Sequence, residues 1–177
     1  MMRLPVFALV TVLTCGHPAA AQTIEPAQRG WLVREEGSAQ DGSATITLQR
    51  SSRGKFHNEY FDDWKFAEIN IRCFRGHTSL WFHFVDEFME GREFGLIRYS
   101  LDGQAIGTWQ FEASPSNKYL GLWEERSALP VLEEILKAGS LAIEVTPNRN
   151  RARSIKVAFD VSELAEEIEP LREACGW

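Results

Sequence analysis

Histidine and carboxylate side chains cluster at one place in the sequence where proton transfer could occur. His57 is followed closely by Asp62 and Asp63, in a segment that is otherwise rich in aromatic residues. A histidine held beside a carboxylate is a common general acid–base pair in enzymes. The sequence carries no nucleophile motif of the Gly-x-Ser-x-Gly kind to accompany that pair. We therefore predict a protein without catalytic residues.

Two further histidines suggest a metal site by their residue type but not by their spacing. His77 and His83 lie on the same face of one predicted strand, and Asp86 follows nearby. At the rise of an extended strand the two histidines are about 20 Å apart, and a single ion needs ligands that converge within bonding distance. We interpret both as solvated side chains, and we predict no metal and no cofactor.

The N-terminal residues have the composition of a leader for export. A short positive segment, an apolar stretch over residues 4–13 and three alanines at 19–21 predict a signal peptide over residues 1–21. The alternative is a lipoprotein signal modified at Cys15, which the cleaner cleavage pattern at the alanines disfavours. The prediction is therefore a periplasmic or secreted protein. No later segment reaches the roughly 18 consecutive apolar residues that span a membrane.

Removal of the leader leaves two cysteines, Cys73 and Cys175. An even pair in an exported chain predicts a disulfide. The alternative, two buried thiols, is typical of a cytosolic protein. A bridge between them would close a loop of about 100 residues, which is long enough to constrain the unfolded chain strongly.

The charge balance limits the class of partner. The sequence has 19 Lys+Arg against 25 Asp+Glu, for a net charge of −6. This acidic balance argues against a nucleic-acid partner, which normally leaves a basic footprint on the protein. Exposed tryptophans would instead mark a binding surface, and a local arginine cluster is either a solvated loop or a contact for an anionic partner. The candidate partner-binding residues are Trp64, Trp81, Trp123, Arg149, Arg151 and Arg153.

The element predicted to organise the chain is a central hairpin. Residues 66–74 and 78–84 both alternate apolar and polar side chains, and residues 75–77 form a short turn between them. Cys73 then lies on the apolar face of the first strand, with Ile69 and Ile71. The disulfide would attach the last helix to this hairpin.

The same alternation predicts further strands on both sides of the hairpin, and helical spacing is found only late in the chain. Residues 51–64, which could include a short strand, and residues 113–122 are predicted as connections. Asp102-Gly103 is predicted as a tight turn. The other predicted strands are 31–36, 43–50, 94–101, 105–111, 141–145 and 155–159. The predicted helices are 127–137, capped by Ser127, and a final helix that is capped by Ser162 and kinked or divided at Pro170.

Seven or eight antiparallel strands with two helices in the C-terminal half predict a mainly β, β-sandwich-like fold. A single open antiparallel sheet covered by the helices is the alternative. We assign residues 22–30 to a flexible N-terminal segment and residues 31–177 to a single β-rich domain.

Several phrases in this sequence resemble a known family in their order and spacing. They are Ile71-Arg72-Cys73, the segment 97–103 followed by Trp109, the segment 159–164, and the ending Pro170 to Trp177 with its Cys-Gly-Trp tail. Together they resemble the VasI/TagO group of type VI secretion-associated proteins and related exported bacterial proteins, over most of residues 31–177. The resemblance implies an exported envelope protein with a disulfide-linked β-rich domain, and it implies no catalytic motif.

Two functions of different classes remain open. The first, which we expect, is a non-enzymatic envelope accessory protein that binds another envelope protein through a sheet face or edge. It requires exposed aromatic residues and no convergent polar pocket. The alternative is a hydrolase or a carbohydrate-binding module that acts at the cell wall. It requires a cleft in which aromatic side chains flank paired acids such as Asp62, Asp63 or Asp86.

Overall fold

The computed structural model of the protein describes residues 30–37, 44–90, 95–147 and 153–177. The predicted signal peptide, Cys15, most of the segment 22–30, Arg149 and Arg151 lie outside the described residues. The strands are β1 (Leu32–Gly37), β2 (Ala44–Asn58), β3 (Asp63–Phe74), β4 (His77–Phe84), β5 (Leu96–Leu101), β6 (Gln104–Gln110), β7 (Glu112–Ala113), β8 (Tyr119–Leu122), β9 (Ser140–Val145) and β10 (Ile155–Asp160). The helices are α1 (Glu125–Ile135), α2 (Leu164–Glu167) and α3 (Glu169–Cys175).

The strands form two antiparallel sheets. A six-stranded sheet has the order β1-β2-β3-β4-β8-β7, and a four-stranded sheet has the order β10-β9-β5-β6. The predicted mainly β, antiparallel fold is confirmed. The described residues hold two sheets rather than a single open one, and ten strands and three helices rather than the predicted seven or eight and two.

Aromatic side chains join the two sheets at the centre of the core. The ring of Phe82 on β4 lies 5.7 Å from that of Phe159 on β10 and 5.4 Å from that of Phe111, which lies between β6 and β7. All three side chains are fully buried. Aromatic contacts of this size bury a large apolar area and prefer such offset geometries, so they hold the sheets face to face.

The predicted central hairpin is confirmed. β3 and β4 pair in antiparallel register from Ala67 opposite Phe84 to Phe74 opposite His77. The turn has two residues, Arg75 and Gly76, rather than the predicted three, because His77 already belongs to β4. Both turn residues have positive φ angles, as a two-residue hairpin turn of this kind requires. On the inner face Ile69, Ile71 and Cys73 are fully buried, as the alternation predicts.

The predicted connection over residues 51–64 is wrong. β2 continues to Asn58 and pairs with β3, which begins at Asp63. The inner positions of β2 include the polar residues Arg50, Ser52 and Asn58, all of them buried. These polar residues interrupt the apolar alternation, so the sequence pattern no longer indicates a strand although the backbone stays extended to Asn58.

Each of these buried polar side chains has partners that explain its position. Arg50 forms ion pairs with Asp160, at 3.7 Å, and Glu163, at 3.3 Å, which lie on and just beyond β10. The Ser52 hydroxyl accepts a hydrogen bond from the Ala67 backbone N–H at 3.1 Å, beside a register shift in the β2–β3 ladder. Buried polar groups are tolerated when they are paired in this way.

The predicted loop over residues 113–122 is also wrong in part. Tyr119–Leu122 forms β8, which pairs with β4, and Glu112–Ala113 forms β7 at the edge of the same sheet. β8 has four residues, one of which is a glycine, so its local pattern is too short to distinguish from a loop. Its partner strand β4, far away in sequence, determines its conformation.

The helices follow the predicted apolar spacing but not the predicted caps. α1 begins at Glu125, before Ser127, whose hydroxyl donates to the backbone carbonyl of Glu124 at 2.7 Å. Ser162 likewise does not cap a helix, because its hydroxyl donates to Asp160 at 2.7 Å. Pro170 lies in the first turn of α3, and the predicted division of the last helix is confirmed.

The predicted disulfide between Cys73 and Cys175 is confirmed, with the two Cα atoms 5.8 Å apart. It joins α3 to β3 and therefore attaches the last helix to the central hairpin. Two further features hold the C-terminal end in place: Leu171 of α3 is fully buried, and the indole N–H of Trp177 donates a hydrogen bond to the Thr78 hydroxyl at 2.8 Å. Within the described ranges, none of the helices has the length and apolar character needed to cross a bilayer.

Candidate functional site

The histidine–carboxylate group predicted around residue 57 is only partly assembled. His57 Nε2 lies 3.0 Å from the carboxylate of Asp62, but that side chain is 94% exposed. Asp63 instead pairs with Lys65 at 2.8 Å. The hydrogen bond from Lys65 lowers the pKa of Asp63, and the same hydrogen bond raises the pKa of Lys65. A carboxyl group with a lowered pKa stays ionised at neutral pH and is a poor proton donor.

The other histidines and acids do not converge on one point. His77 is exposed at the hairpin turn, whereas His83 Nδ1 lies 3.0 Å from the carboxylate of Glu68. Asp86 is 3.4 Å from the Lys65 ammonium group. Across the residues that the structure describes, no three His, Cys, Asp or Glu side chains lie close enough together to hold a metal ion.

The candidate partner-binding residues fall at two separate places. Trp64 is 59% exposed and lies beside the ring of His57, with the ring centroids 5.2 Å apart. Arg153 is exposed and pairs with Glu59 at 3.7 Å. Trp81 and Trp123 are half-buried and stack on one another, with ring centroids 6.2 Å apart. Of the four candidates that the structure describes, Trp64 and Arg153 both line a small depression of about 200 Å³, and Trp81 and Trp123 meet at the second place.

The Trp81–Trp123 pair lies on the outer face of the six-stranded sheet, the face turned away from the core. The antiparallel register sets its polar side chains in cross-strand pairs, because residues directly opposite one another share a face. Glu68 lies opposite His83, and Arg72 lies opposite Ser79. Asn70 lies opposite Trp81 on one side and opposite Gln49 of β2 on the other.

These side chains line a depression of about 870 Å³, which we call the outer-face depression. Its volume is within the usual range of small-molecule binding sites. Its lining residues include Arg34, Gln49, Glu68, Asn70, Arg72, Trp81, His83, Glu112, Tyr119 and Trp123. Aromatic and hydrogen-bonding side chains thus converge on one concave surface.

A glycine allows one wall of the depression to form. Gly121 on β8 precedes Trp123 by two residues, and both are on the outer face. The Trp123 indole lies so close over Gly121 that a Cβ atom there would be 2.5 Å from the ring. Only a residue without a side chain lets the indole lie against the strand and stack on Trp81.

Arg72 extends the aromatic surface with a cation. Its guanidinium carbon lies 5.3 Å from the ring centroid of Trp81 and 5.5 Å from that of Phe74. On the other side of the depression, the ring of His83 lies 4.8 Å from that of Tyr119. The depression therefore combines a tryptophan pair, a cation and a second aromatic contact.

Several polar atoms at this face have unused hydrogen-bonding capacity. Asn70 Nδ2, Arg72 Nε, Ser79 Oγ and Trp123 Nε1 are buried and have no hydrogen-bond partner within the described part of the protein. Asn70 is only 6% exposed and Ser79 only 5%. Buried polar groups are normally paired, so a group of unpaired ones at a concave surface suggests a bound ligand.

Comparison of the chain with protein-family models, with curated proteins and with solved structures finds no match. The resemblance to the VasI/TagO group therefore stays a prediction.

The sequence contained part of the signal for this site. Alternation places Glu68 and Asn70 on one face of β3 and Trp81 and His83 on one face of β4, but only the two-residue turn of the structure sets Glu68 opposite His83 and Asn70 opposite Trp81. The contribution of Tyr119 was not predicted, because β8 was interpreted as a loop.

Proposed function

We propose that this protein is a non-enzymatic, exported carbohydrate-binding protein of the cell envelope that binds its ligand in the outer-face depression. The observation that carries the proposal is the stacked pair of Trp81 and Trp123 beside unpaired polar atoms in one concave surface. A sugar ring has a flat C–H face and a rim of hydroxyl groups. It therefore needs a flat aromatic surface with hydrogen-bonding groups around it.

The expected role in protein–protein contact required exposed aromatic residues without a convergent polar pocket. The outer-face depression is such a polar pocket, which favours a small ligand or a glycan over a flat protein contact. The expected cell-wall alternative placed its cleft beside Asp62, Asp63 or Asp86. Those acids lie outside the depression, and two of them pair with Lys65. We therefore propose binding without hydrolysis.

The disulfide supports an extracytoplasmic location. Such bonds persist in oxidising compartments, and the Cys73–Cys175 bond joins two elements of this structure. The proposed ligand class fits that location, because glycans are abundant outside the cytoplasm.

The experiment is glycan binding by the purified protein and by two tryptophan variants of matched chemistry. Soluble polysaccharides and solubilised peptidoglycan fragments are titrated while intrinsic fluorescence and binding heat are recorded. Trp81→Ala should weaken binding about tenfold or more, because it removes a central aromatic contact. Trp64→Ala is the control, since it removes an equally aromatic but more exposed side chain outside the depression. Equal affinity of both variants and the wild type would overturn the proposal.

A second candidate function, contact with an envelope protein, is favoured by a different surface. Tyr60, Phe61 and Trp64 are 78%, 58% and 59% exposed at and beside the β2–β3 turn. Exposed aromatic residues concentrated at one turn are typical of an interaction surface. A photo-crosslinking residue in place of Tyr60 should then give a discrete protein adduct in intact cells, and the same residue in place of Arg98 should not. Equal labelling from both positions would refute this second function.

A further inference from the structure

The charges that line the outer-face depression are not all compensated within the protein. Arg34 and Arg72 form no ion pair with any other described residue, and the Arg72 guanidinium group lies against the aromatic rings of Phe74 and Trp81. By contrast, the carboxylate of Glu68 lies 3.0 Å from His83. The depression thus contains two guanidinium groups that have no carboxylate of the described residues within ion-pairing distance, although Glu68 and Glu112 also line it.

Arg34 and Arg72 lie in the same cross-strand row of the outer face. Arg34 on β1 lies opposite Thr47 on β2, and Thr47 lies opposite Arg72 on β3. With adjacent strands about 4.8 Å apart, their Cα atoms are separated by about 10 Å. Glu112, the exposed carboxylate of the depression, is on β7 at the opposite edge of the sheet. The positive charge of the depression therefore lies in the cross-strand row of Arg34 and Arg72, whereas Glu68, four residues from Arg72 on β3, lies in the row of His83.

The unpaired polar atoms of the depression also favour a ligand that carries hydrogen-bond acceptors. Asn70 Nδ2, Arg72 Nε and Trp123 Nε1, all on residues that line the depression, are hydrogen-bond donors that cannot accept. A ligand that satisfies them must supply acceptors. A carboxylate supplies acceptors and a negative charge together, and its hydrogen bonds with arginine are stronger than neutral ones.

From the arginine pair and the donor-rich floor, we propose that the ligand is an acidic glycan, a sugar chain that bears carboxylate groups. This inference rests on the proposed carbohydrate-binding function. A sugar ring stacked on Trp81 brings a substituent at its edge close to Arg72, because the guanidinium group lies 5.3 Å from the centroid of that ring. Arg34 is positioned to bind the carboxylate of a neighbouring sugar unit.

The test uses pairs of oligosaccharides that differ only in the carboxyl group. Each acidic probe is matched with its carboxyl-reduced form: oligogalacturonate, oligoglucuronate and a muramic-acid-containing peptidoglycan fragment. Titrations at fixed ionic strength are made on the full chain, on Arg72→Gln and Arg34→Gln, and on the control Arg98→Gln. Arg98 is exposed and pairs with Glu144 on the other sheet, so this variant removes the same charge away from the depression.

The wild type should bind at least one acidic member about tenfold more tightly than its reduced form, as hydrogen bonds to a charged group predict. Arg72→Gln should reduce that preference to less than about threefold. Arg34→Gln, which changes an exposed edge-strand side chain and leaves the core intact, should reduce it in part, and Arg98→Gln should keep it. Equal binding of the acidic and reduced members would overturn the acidic-glycan inference and leave the carbohydrate-binding function standing. Binding of neither member of any pair would overturn both.

Discussion

Replacing both cysteines tests how strongly the C-terminal helix is held to the central hairpin. In Cys73→Ala/Cys175→Ala the covalent bond between α3 and β3 is absent. The two residues are 102 positions apart, and the chain-entropy argument gives about 4.7 kcal/mol for closing a loop of about 100 residues. The magnitude is large because the closed loop contains most of the described chain.

The folded state should survive this change. Leu171 stays buried in the core, and the Trp177–Thr78 hydrogen bond of 2.8 Å still holds the C-terminal residues when the disulfide is absent. The expected effect is therefore mainly on the unfolded chain, which gains freedom once the loop is open. We expect the free energy of unfolding to fall by about 4 kcal/mol. With a urea m value of about 2 kcal/mol/M, the unfolding midpoint falls by about 2 M.

The assay is urea denaturation followed by tryptophan fluorescence and by circular dichroism. Wild type is compared with the double alanine variant, and with wild type in reductant. Trp177→Phe is the control, since it removes one hydrogen bond of the tail and should cost only about 1 kcal/mol. Thiols that react only after reduction show that the wild type contains the disulfide. If the free energy of unfolding of the double variant is then lower by less than about 1 kcal/mol, the chain-entropy reasoning is refuted.

Two further predictions concern the wall of the depression and the response of the smaller sheet to acid. Gly121→Ala places a methyl group against the Trp123 ring, so it should change the near-UV circular dichroism of the tryptophan pair and weaken glycan binding. Gly107→Ala is the control and should do neither, because its added Cβ has only an ordinary contact at 3.8 Å. Unchanged spectra in Gly121→Ala would contradict the proposed wall. Hydrogen bonds from Ser154 and Arg98 hold the pKa of Glu144 below its usual value of 4.5, so this carboxylate stabilises the fold above that pH and the contribution is lost as the pH falls below about 4.5 through the lower folded-state pKa. Glu144→Gln should therefore lower the free energy of unfolding by about 1 kcal/mol or less at pH 7, and the variant should lose less stability than the wild type on acidification. Urea unfolding midpoints measured at each pH check this. Parallel curves of stability against pH for the two proteins would show that the carboxylate contributes nothing.

The parts of the fold that could be predicted from the sequence are those for which the residues allow a single arrangement. The central hairpin needed only a regular alternation and a short turn that contains Gly76, a residue that accepts a positive φ angle without strain. The disulfide needed only the count of cysteines left after a predicted export step. The hairpin is a local contact, whereas the disulfide joins residues 102 positions apart and could be predicted because two cysteines allow only one pairing.

The errors occurred where distant partners decided the structure. β2 carries Arg50 on its inner face, which is acceptable only because Asp160, at the end of β10, and Glu163, just beyond it, form ion pairs with Arg50. β8 is a strand because β4 pairs with it. Neither partner can be read from the local pattern, because burial of a polar residue is unfavourable until its partner is known.

The candidate site also has a part that the sequence pattern sets and a part that only the tertiary structure decides. Alternation within β3 and β4 already sets Glu68, Asn70 and Trp81 on one face of a hairpin, as residue periodicity requires. The concave surface, by contrast, exists only because β8 pairs with β4 and Gly121 leaves space for the Trp123 indole beside Trp81. Periodicity is a property of adjacent residues, whereas a cavity depends on which separate strands the folded core brings side by side.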